Sequence, residues 1–176
     1  MKENSILKPR LLSHCTCEVI DIKRSRRLYE EVLGLEVVED GPKSLLMRMD
    51  SLTVIHVVET DTQNRRNKHG SHMGFDVFTE EEVDRYYKKV LKVKQAYEIA
   101  KVGPIRNNHG NYRFNFEDRD GNVWEILDNP EGGYRWRFEQ SGDLKLPFLP
   151  NMEGVNHWRD VVDPETYRMP TVSRAD

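Results

Sequence analysis

"SHCTCEVIDIKRSRRLYEEVLGL" (residues 13–35) and "SHMGFDVFTEEEVDRYYKKVLKV" (71–93) decide the reading of this chain. Set one above the other at an offset of 58, they align with no gap. Ser13-His14 falls on Ser71-His72, Glu18-Val19 on Asp76-Val77, and "RRLYEEVLGL" on "DRYYKKVLKV". Self-similarity of this kind marks a duplicated structural unit and must be found before any element is assigned. It also settles the status of "GSHM" (70–73), which reads like the scar of a cleaved tag. A scar belongs at a terminus, and this one sits inside the second copy of a repeat, so His72 is a native residue of the duplication.

Each copy has the same internal order. A short run with apolar members comes first (15–20 and 73–78), and a charged segment with helical spacing follows. Leu28, Val32 and Leu35 stand at i, i+4 and i+7 in the first copy. Val83, Tyr86, Tyr87, Val90 and Leu91 form one stripe in the second, which assigns both tyrosines to the core. Gly34 is placed to end the first helix, and Thr79 to cap the second, with Glu80 to Glu82 suiting its dipole. Strand-like pieces follow. They are "LEVVED", "SLLMRMD" and "LTVIHVVE" in the first copy, and "QAYEIAKV", "YRFNFED" and "NVWEILD" in the second. Gly41-Pro42, Gly103-Pro104 and Asp120-Gly121 break the runs. The last strands superpose as "VIHVV" (54–58) on "VWEIL" (123–127), at an offset of 69, so the second copy carries eleven extra residues around "GPIRNNHGN".

The fold class predicted is α+β, with two β-α-β-β-β modules forming a curved sheet around a cleft. The first module covers residues 1–62, a polar connector 63–70, the second module 71–129, and a C-terminal extension 130–176. The pairing sets His14 on His72 and His56 on Glu125. Glu125 points away from Trp124 and Ile126 by strand alternation, and His56 is flanked by Ile55 and Val57. An ionised carboxylate in an apolar strand is costly unless it is paired or coordinated. Two curved repeats that face each other would bring these four groups together.

Bulk properties narrow the function classes. The chain has 176 residues, 37% hydrophobic and 32% charged, and a formal net charge of −3. That is long enough to bury a core, and nothing in it points to nucleic acid or a membrane surface. No apolar run approaches the roughly 20 residues that span a bilayer, and the first residues lack the apolar region of a secretion signal. Cys15 and Cys17 are the two cysteines, sharing a strand face too close in sequence for an unstrained bridge. A cytoplasmic location is expected.

Residues 11 to about 129 resemble the vicinal oxygen chelate superfamily, which holds glyoxalase I, fosfomycin-resistance enzymes, methylmalonyl-CoA epimerase, extradiol dioxygenases and bleomycin-sequestering proteins. The resemblance rests on the paired modules, on "RRLYEEVLGLEVV" (26–38), and on "EDRDGNVWEILD" (117–128), where Arg119 takes the place of a common Pro. It implies a divalent metal ion held by His14, His72 and Glu125, with His56 either completing the ligand set or standing beside the metal as a base. Two imidazoles and a carboxylate suit Fe(II) first, with Zn, Ni or Mn as alternatives. His56 and His109 are the candidate catalytic residues. His109 lies in the "RNNHGN" loop, either at the surface or as a lid over the metal. His69 is read as solvated connector, and His157 is assigned nothing.

The implied substrate is a small molecule with vicinal oxygens. The first expectation is ring cleavage of an extradiol type, because an all-His complement beside one Glu keeps the charge of the iron triad. Known ring-cleaving members carry a His four residues before position 56 and a Tyr ten before the carboxylate; here Leu52 and Asn115 stand there. The alternative is a glyoxalase- or epimerase-type lyase or isomerase that stabilises an enediolate. Such enzymes usually supply Glu at the position of His56. A metal-free drug-sequestering protein is the third class, against which the retained His14, His72 and Glu125 argue. The extension contributes Trp136, Phe138, Phe148 and Trp158 as anchors for an arm over the cleft or a partner, and a homodimer is the expected assembly.

Overall fold

The computed structural model describes residues 6, 12–49, 53–61, 71–108 and 111–129. It divides into two units, Met1–Arg66 and Asn67–Asp176.

In the first unit, strand β1 (His14–Val19) leads into helix α1 (Ile22–Arg27), and β2 (Glu36–Gly41), β3 (Ser44–Arg48) and β4 (Val54–Glu59) follow. The Asp21 side chain starts α1 by accepting from the Arg24 N–H at 3.1 Å. The helix then widens into a π-helical turn over Leu28–Val32, with Leu33 N–H donating to the Leu28 carbonyl at 3.1 Å. Gly34, at φ +70°, ends it as its sequence position predicts. The sheet order is β1-β4-β3-β2, parallel between β1 and β4 and antiparallel elsewhere. One face is the core: Cys17, Val19, Leu45, Met47, Ile55 and Val57 are buried, as are Ile22, Leu28 and Tyr29 of the helical segment. The other face carries His14, Thr16, Leu46 and His56. The cysteines are unbridged, Cys15 exposed and Cys17 buried.

In the second unit, β5 (Met73–Val77) and helix α2 (Glu80–Val93) precede β6 (Lys101–Val102), β7 (Arg106–Asn108), β8 (Asn111–Glu117) and β9 (Val123–Asp128). The order is β5-β9-β8-β6, with β7 also pairing β8. The two sheets share one topology, and their registers agree in detail. Thr16 lies opposite His56 in β1·β4, and Gly74 opposite Glu125 in β5·β9. These are the same equivalences that the sequence offsets set.

Helix α2 is capped as predicted. Thr79 Oγ1 accepts from Glu82 N–H at 3.2 Å, and Glu82 reaches back to the Phe78 N–H at 2.9 Å. Its Val83 and Val90 are buried, Tyr87 meets Phe114 edge-on with ring centroids 5.3 Å apart, and Phe75 stacks on the fully buried Trp124. Two members of the predicted stripe lie elsewhere. Leu91 is exposed, and Tyr86 is half-buried with Arg85 and Lys89 over its ring, because the sheet covers a narrower arc of the helix than the apolar stripe spans.

Two strand readings are corrected. "QAYEIAKV" is strand only at Lys101–Val102. The residues before it close the helix: Glu98 adopts φ +52°, and Ile99 N–H returns to the Lys94 carbonyl at 2.9 Å. "GPIRNNHGN", around which the second copy carries its extra residues, contains the additional strand β7. The turn "DRDGN" is built on Asp118, whose Oδ1 accepts the N–H groups of Asp120 and Asn122, both at 2.9 Å, and whose Oδ2 accepts the Trp124 indole N–H at 3.0 Å. That turn fixes where β9 begins, and with it the direction in which residue 125 points. Among the described residues no helix is long and apolar enough to cross a membrane.

Candidate metal centre

Strand β9 separates two chemistries by parity. Trp124 and Ile126 enter the core beneath α2, and Glu125 projects onto the opposite face. Its side chain is only 3% exposed, so its charge needs partners. It has two. His72 Nε2 stands 3.2 Å from Oε2, and Arg113 Nη1 is bonded to Oε1. His72 immediately precedes β5 and shares a face with Gly74, directly across from Glu125. A Cβ at residue 74 would lie 3.6 Å from Glu125 Oε2 and 3.3 Å from Leu127 Cδ2. The tighter of these contacts is with the Leu127 side chain; the carboxylate stands at ordinary van der Waals distance. Asn115 faces Glu125 from β8, and Arg113 sits on the diagonal beside it.

The first unit repeats this layout with different side chains. His14 and His56 lie on its open face. His14 is exposed, with Nδ1 2.9 Å from Ser13 Oγ. His56 is half-buried, and its Nε2 is shut off from water without a hydrogen bond among the described residues. The Asp40 carboxylate is 3.5 Å from that nitrogen, an ion-pair separation longer than a good hydrogen bond. The register of β2 shifts between Glu39 and Gly41, a bulge of the kind that re-aims a side chain.

Within each unit, the described residues contain no cluster of three or more His, Cys, Asp and Glu that could hold a metal. The second unit supplies a pair, His72 and Glu125, and the first supplies His14 and His56. The pair fits a metal by one geometric test. Two ligands about 2.1 Å from a shared ion stand roughly 3.0–3.4 Å apart at octahedral to tetrahedral angles, and Nε2 and Oε2 are 3.2 Å apart. Arg113 occupies the other carboxylate oxygen, the outer support that ligating carboxylates have. His109, His69 and His157 lie outside the described residues, as do Trp136, Phe138, Phe148 and Trp158.

Sequence reasoning singled out His14, His56, His72 and Glu125. It passed over Arg113, Gly74 and Asp40. Arg113 carried a signal, since in "YRFNFED" it shares parity with Asn115, opposite to Phe114 and Phe116.

The chain matches the family profile "Glyoxalase/Bleomycin resistance protein/Dioxygenase superfamily" over residues 11–126. Among solved structures, FosX from Listeria monocytogenes, complexed with Mn(II) and sulfate, is 21% identical with a TM-score of 0.59, covering 74% of this chain and 99% of that one. Lactoylglutathione lyase from Agrobacterium tumefaciens is 21% identical at a TM-score of 0.51, covering 69% and 95%. FosX from Mesorhizobium loti is 20% identical at 0.55, covering 69% and 94%. No curated protein matches the chain. At these identities the structural likeness speaks to the fold.

Proposed function

The chain belongs to the glyoxalase/bleomycin resistance protein/dioxygenase superfamily, and from that membership we propose that it is a metal-dependent enzyme acting on a small substrate with neighbouring oxygens. His14 of the first unit would join His72 and Glu125 of the second as ligands, within one chain or across a homodimer. The observation that carries this is the convergence of His72 Nε2 and Glu125 Oε2 at 3.2 Å on the sheet face opposite Trp124, with His14 at the matching place in the other copy. The donor set suits Fe(II), Zn, Ni or Mn. Once bound, such an ion stabilises negative charge developing on the substrate's oxygens.

The chain's own residues supply the rest. Arg113 holds Glu125 Oε1 and leaves Oε2 for ligation. Asp40, beside His56 Nε2, favours the proton on that nitrogen and leaves the Nδ1 lone pair free, either to take a substrate proton or to complete the ligand set. With His56 as base, the reaction is of lyase or isomerase type, in which His56 removes a proton next to a carbonyl. Asn115 supports this reading. It stands directly opposite Glu125, so the place where ring-cleaving members have a phenol offers an amide. Ring cleavage is the second reading, favoured by one feature: His56 in place of a second carboxylate keeps a two-His, one-carboxylate charge suited to Fe(II). The enzyme is proposed to work in the cytoplasm.

The test is elemental analysis of full-length protein prepared without chelator, with two assays beside it. Proton exchange in D2O on a 2-oxo thiohemiacetal or an acyl-CoA, without oxygen uptake, supports the first reading. Iron with oxygen uptake on a catechol panel supports the second. A metal-free protein that does neither contradicts both.

A further inference from the structure

The face of the second unit that bears Glu125 carries another carboxylate. Along β5, residues 72, 74 and 76 alternate with Met73, Phe75 and Val77, so Asp76 shares the side that holds His72 and Gly74. Gly74 lies directly across from Glu125, and Asp76 across from Leu127. His72 and Asp76 are therefore the two diagonal neighbours of Glu125 on that side, one beyond each end of Gly74. Two residues of strand separate Asp76 from Gly74 by about 7 Å.

Asp76 is set apart by how it is held. Asn129 Nδ2 donates to its Oδ1 at 2.8 Å, and the Asn129 side-chain oxygen accepts in turn from Asn111 Nδ2. Asn129 and Asn111 are 4% and 2% exposed, whereas Asp76 reaches water. Burying an amide side chain is costly unless its donors and acceptors are used. Here one buried amide orients an exposed carboxylate, and a second orients the first. Fixing a group that water already solvates adds little to folding; it is what a binding group requires.

The first copy lacks this support. The repeat sets Glu18 on Asp76, so both copies have the carboxylate, but the offset of 69 that aligns the last strands sets Thr60 on Asn129. The amide pair belongs to the unit that holds His72 and Glu125. The protein around Asp76 removes part of its hydration and pushes its carboxyl up; the Asn129 bond pulls it down, and the charges of Asp128 and Glu125 add to the rise. A hydrogen-bond donor arriving from outside, above all a positively charged one, relieves that crowding.

We propose that Asp76 is a substrate-contacting residue, accepting a hydrogen bond from a hydroxyl or a protonated amine on a substrate whose neighbouring oxygens lie at the His72–Glu125 pair. Asn129 and Asn111 are its positioning residues. This role rests on the metal-dependent function proposed above. It narrows the substrate class to molecules that carry such a donor beside their vicinal oxygens.

The test uses full-length protein reconstituted with Zn(II) and titrated calorimetrically with three hydroxamates of one size. Each presents two neighbouring oxygens. Butanohydroxamate ends in methyl, 3-hydroxypropanohydroxamate in hydroxyl, and β-alanine hydroxamate in ammonium. The wild type is expected to bind a donor-bearing probe about tenfold more tightly than butanohydroxamate, and the tighter of the two identifies the group. Asp76→Ala should abolish that preference while binding butanohydroxamate as the wild type does. Asp76→Asn, which keeps the shape and an acceptor, should lose the preference for ammonium. Asn129→Ala leaves the carboxylate without its support and should give an intermediate preference. A purely structural Asp76 would move all three affinities together, or none. An unchanged preference in Asp76→Ala overturns the role. Wild type that holds zinc and shows no preference overturns the role of Asp76 alone; wild type that holds no zinc overturns the metal centre and this role with it.

Discussion

At the scale of single residues, the account turns on how a nearly buried carboxylate finds its partners. Glu125 is bonded to Arg113, whose side chain is 19% exposed, and faces His72. Deleting the carboxylate takes a charged partner from a largely buried guanidinium. Glu125→Ala is expected to cost on the order of 3 kcal/mol in chemical denaturation, and to lose the metal as well. Glu125→Gln should keep part of that stability and still lose the metal. A variant with unchanged denaturation midpoint and unchanged metal content would contradict both roles.

Asp118 makes a different prediction. Burial pushes its carboxyl up from an ordinary 3.8 to about 6, against the pull of its bonds from Trp124 and Asn122. Between those values the folded protein keeps a proton that the unfolded chain has released. The contribution is therefore full below about pH 4 and is lost as pH rises through about 6, worth at most roughly 3 kcal/mol. In denaturation from pH 4 to 7, the wild type should lose stability relative to Asp118→Asn; a constant difference would contradict this.

Glu125 was legible in sequence because a charge in an apolar run is conspicuous, and His72 because the repeat sets it on His14. Arg113 was not, because an arginine alternating with Phe114 and Phe116 reads as a solvated strand face. Its bond to Glu125 depends on a cross-strand register that the sequence does not print.

At the scale of elements, local signals were read well where they were self-contained. The Thr79 cap and its Glu82 partner lie within four residues of each other, and both formed. Thr79→Ala should cost about 1 kcal/mol of stability, measured by thermal or denaturant unfolding with the helix content of the folded state unchanged. A loss near zero would mean that packing of Val83 and Val90 alone fixes the helix start. Elsewhere tertiary structure overrode local pattern. "QAYEIAKV" has strand-like composition, yet Glu98 in a left-handed conformation ends α2 there, and burial of Ile99 compensates. Strand β7 was invisible because Arg-Asn-Asn has little β propensity; only the partner β8 makes it a strand.

At the scale of the molecule, the duplication was the most legible feature, since identical order and a gapless alignment outweigh any single element. Both units build the same strand order on the same registers. The copies have diverged in their open faces. One holds His14 and His56 beside Asp40; the other holds His72 and Glu125 beside Arg113. Sedimentation of the full-length chain is expected to give a homodimer, and a monomer at micromolar concentration would confine the proposed site to a single chain.

The most direct test of the central claim is metal analysis of full-length wild-type protein beside His14→Ala and His72→Ala, each checked for native circular dichroism. The account predicts a stoichiometric divalent ion in the wild type and its loss from both folded variants. A folded His72→Ala protein that keeps its full metal complement would contradict it.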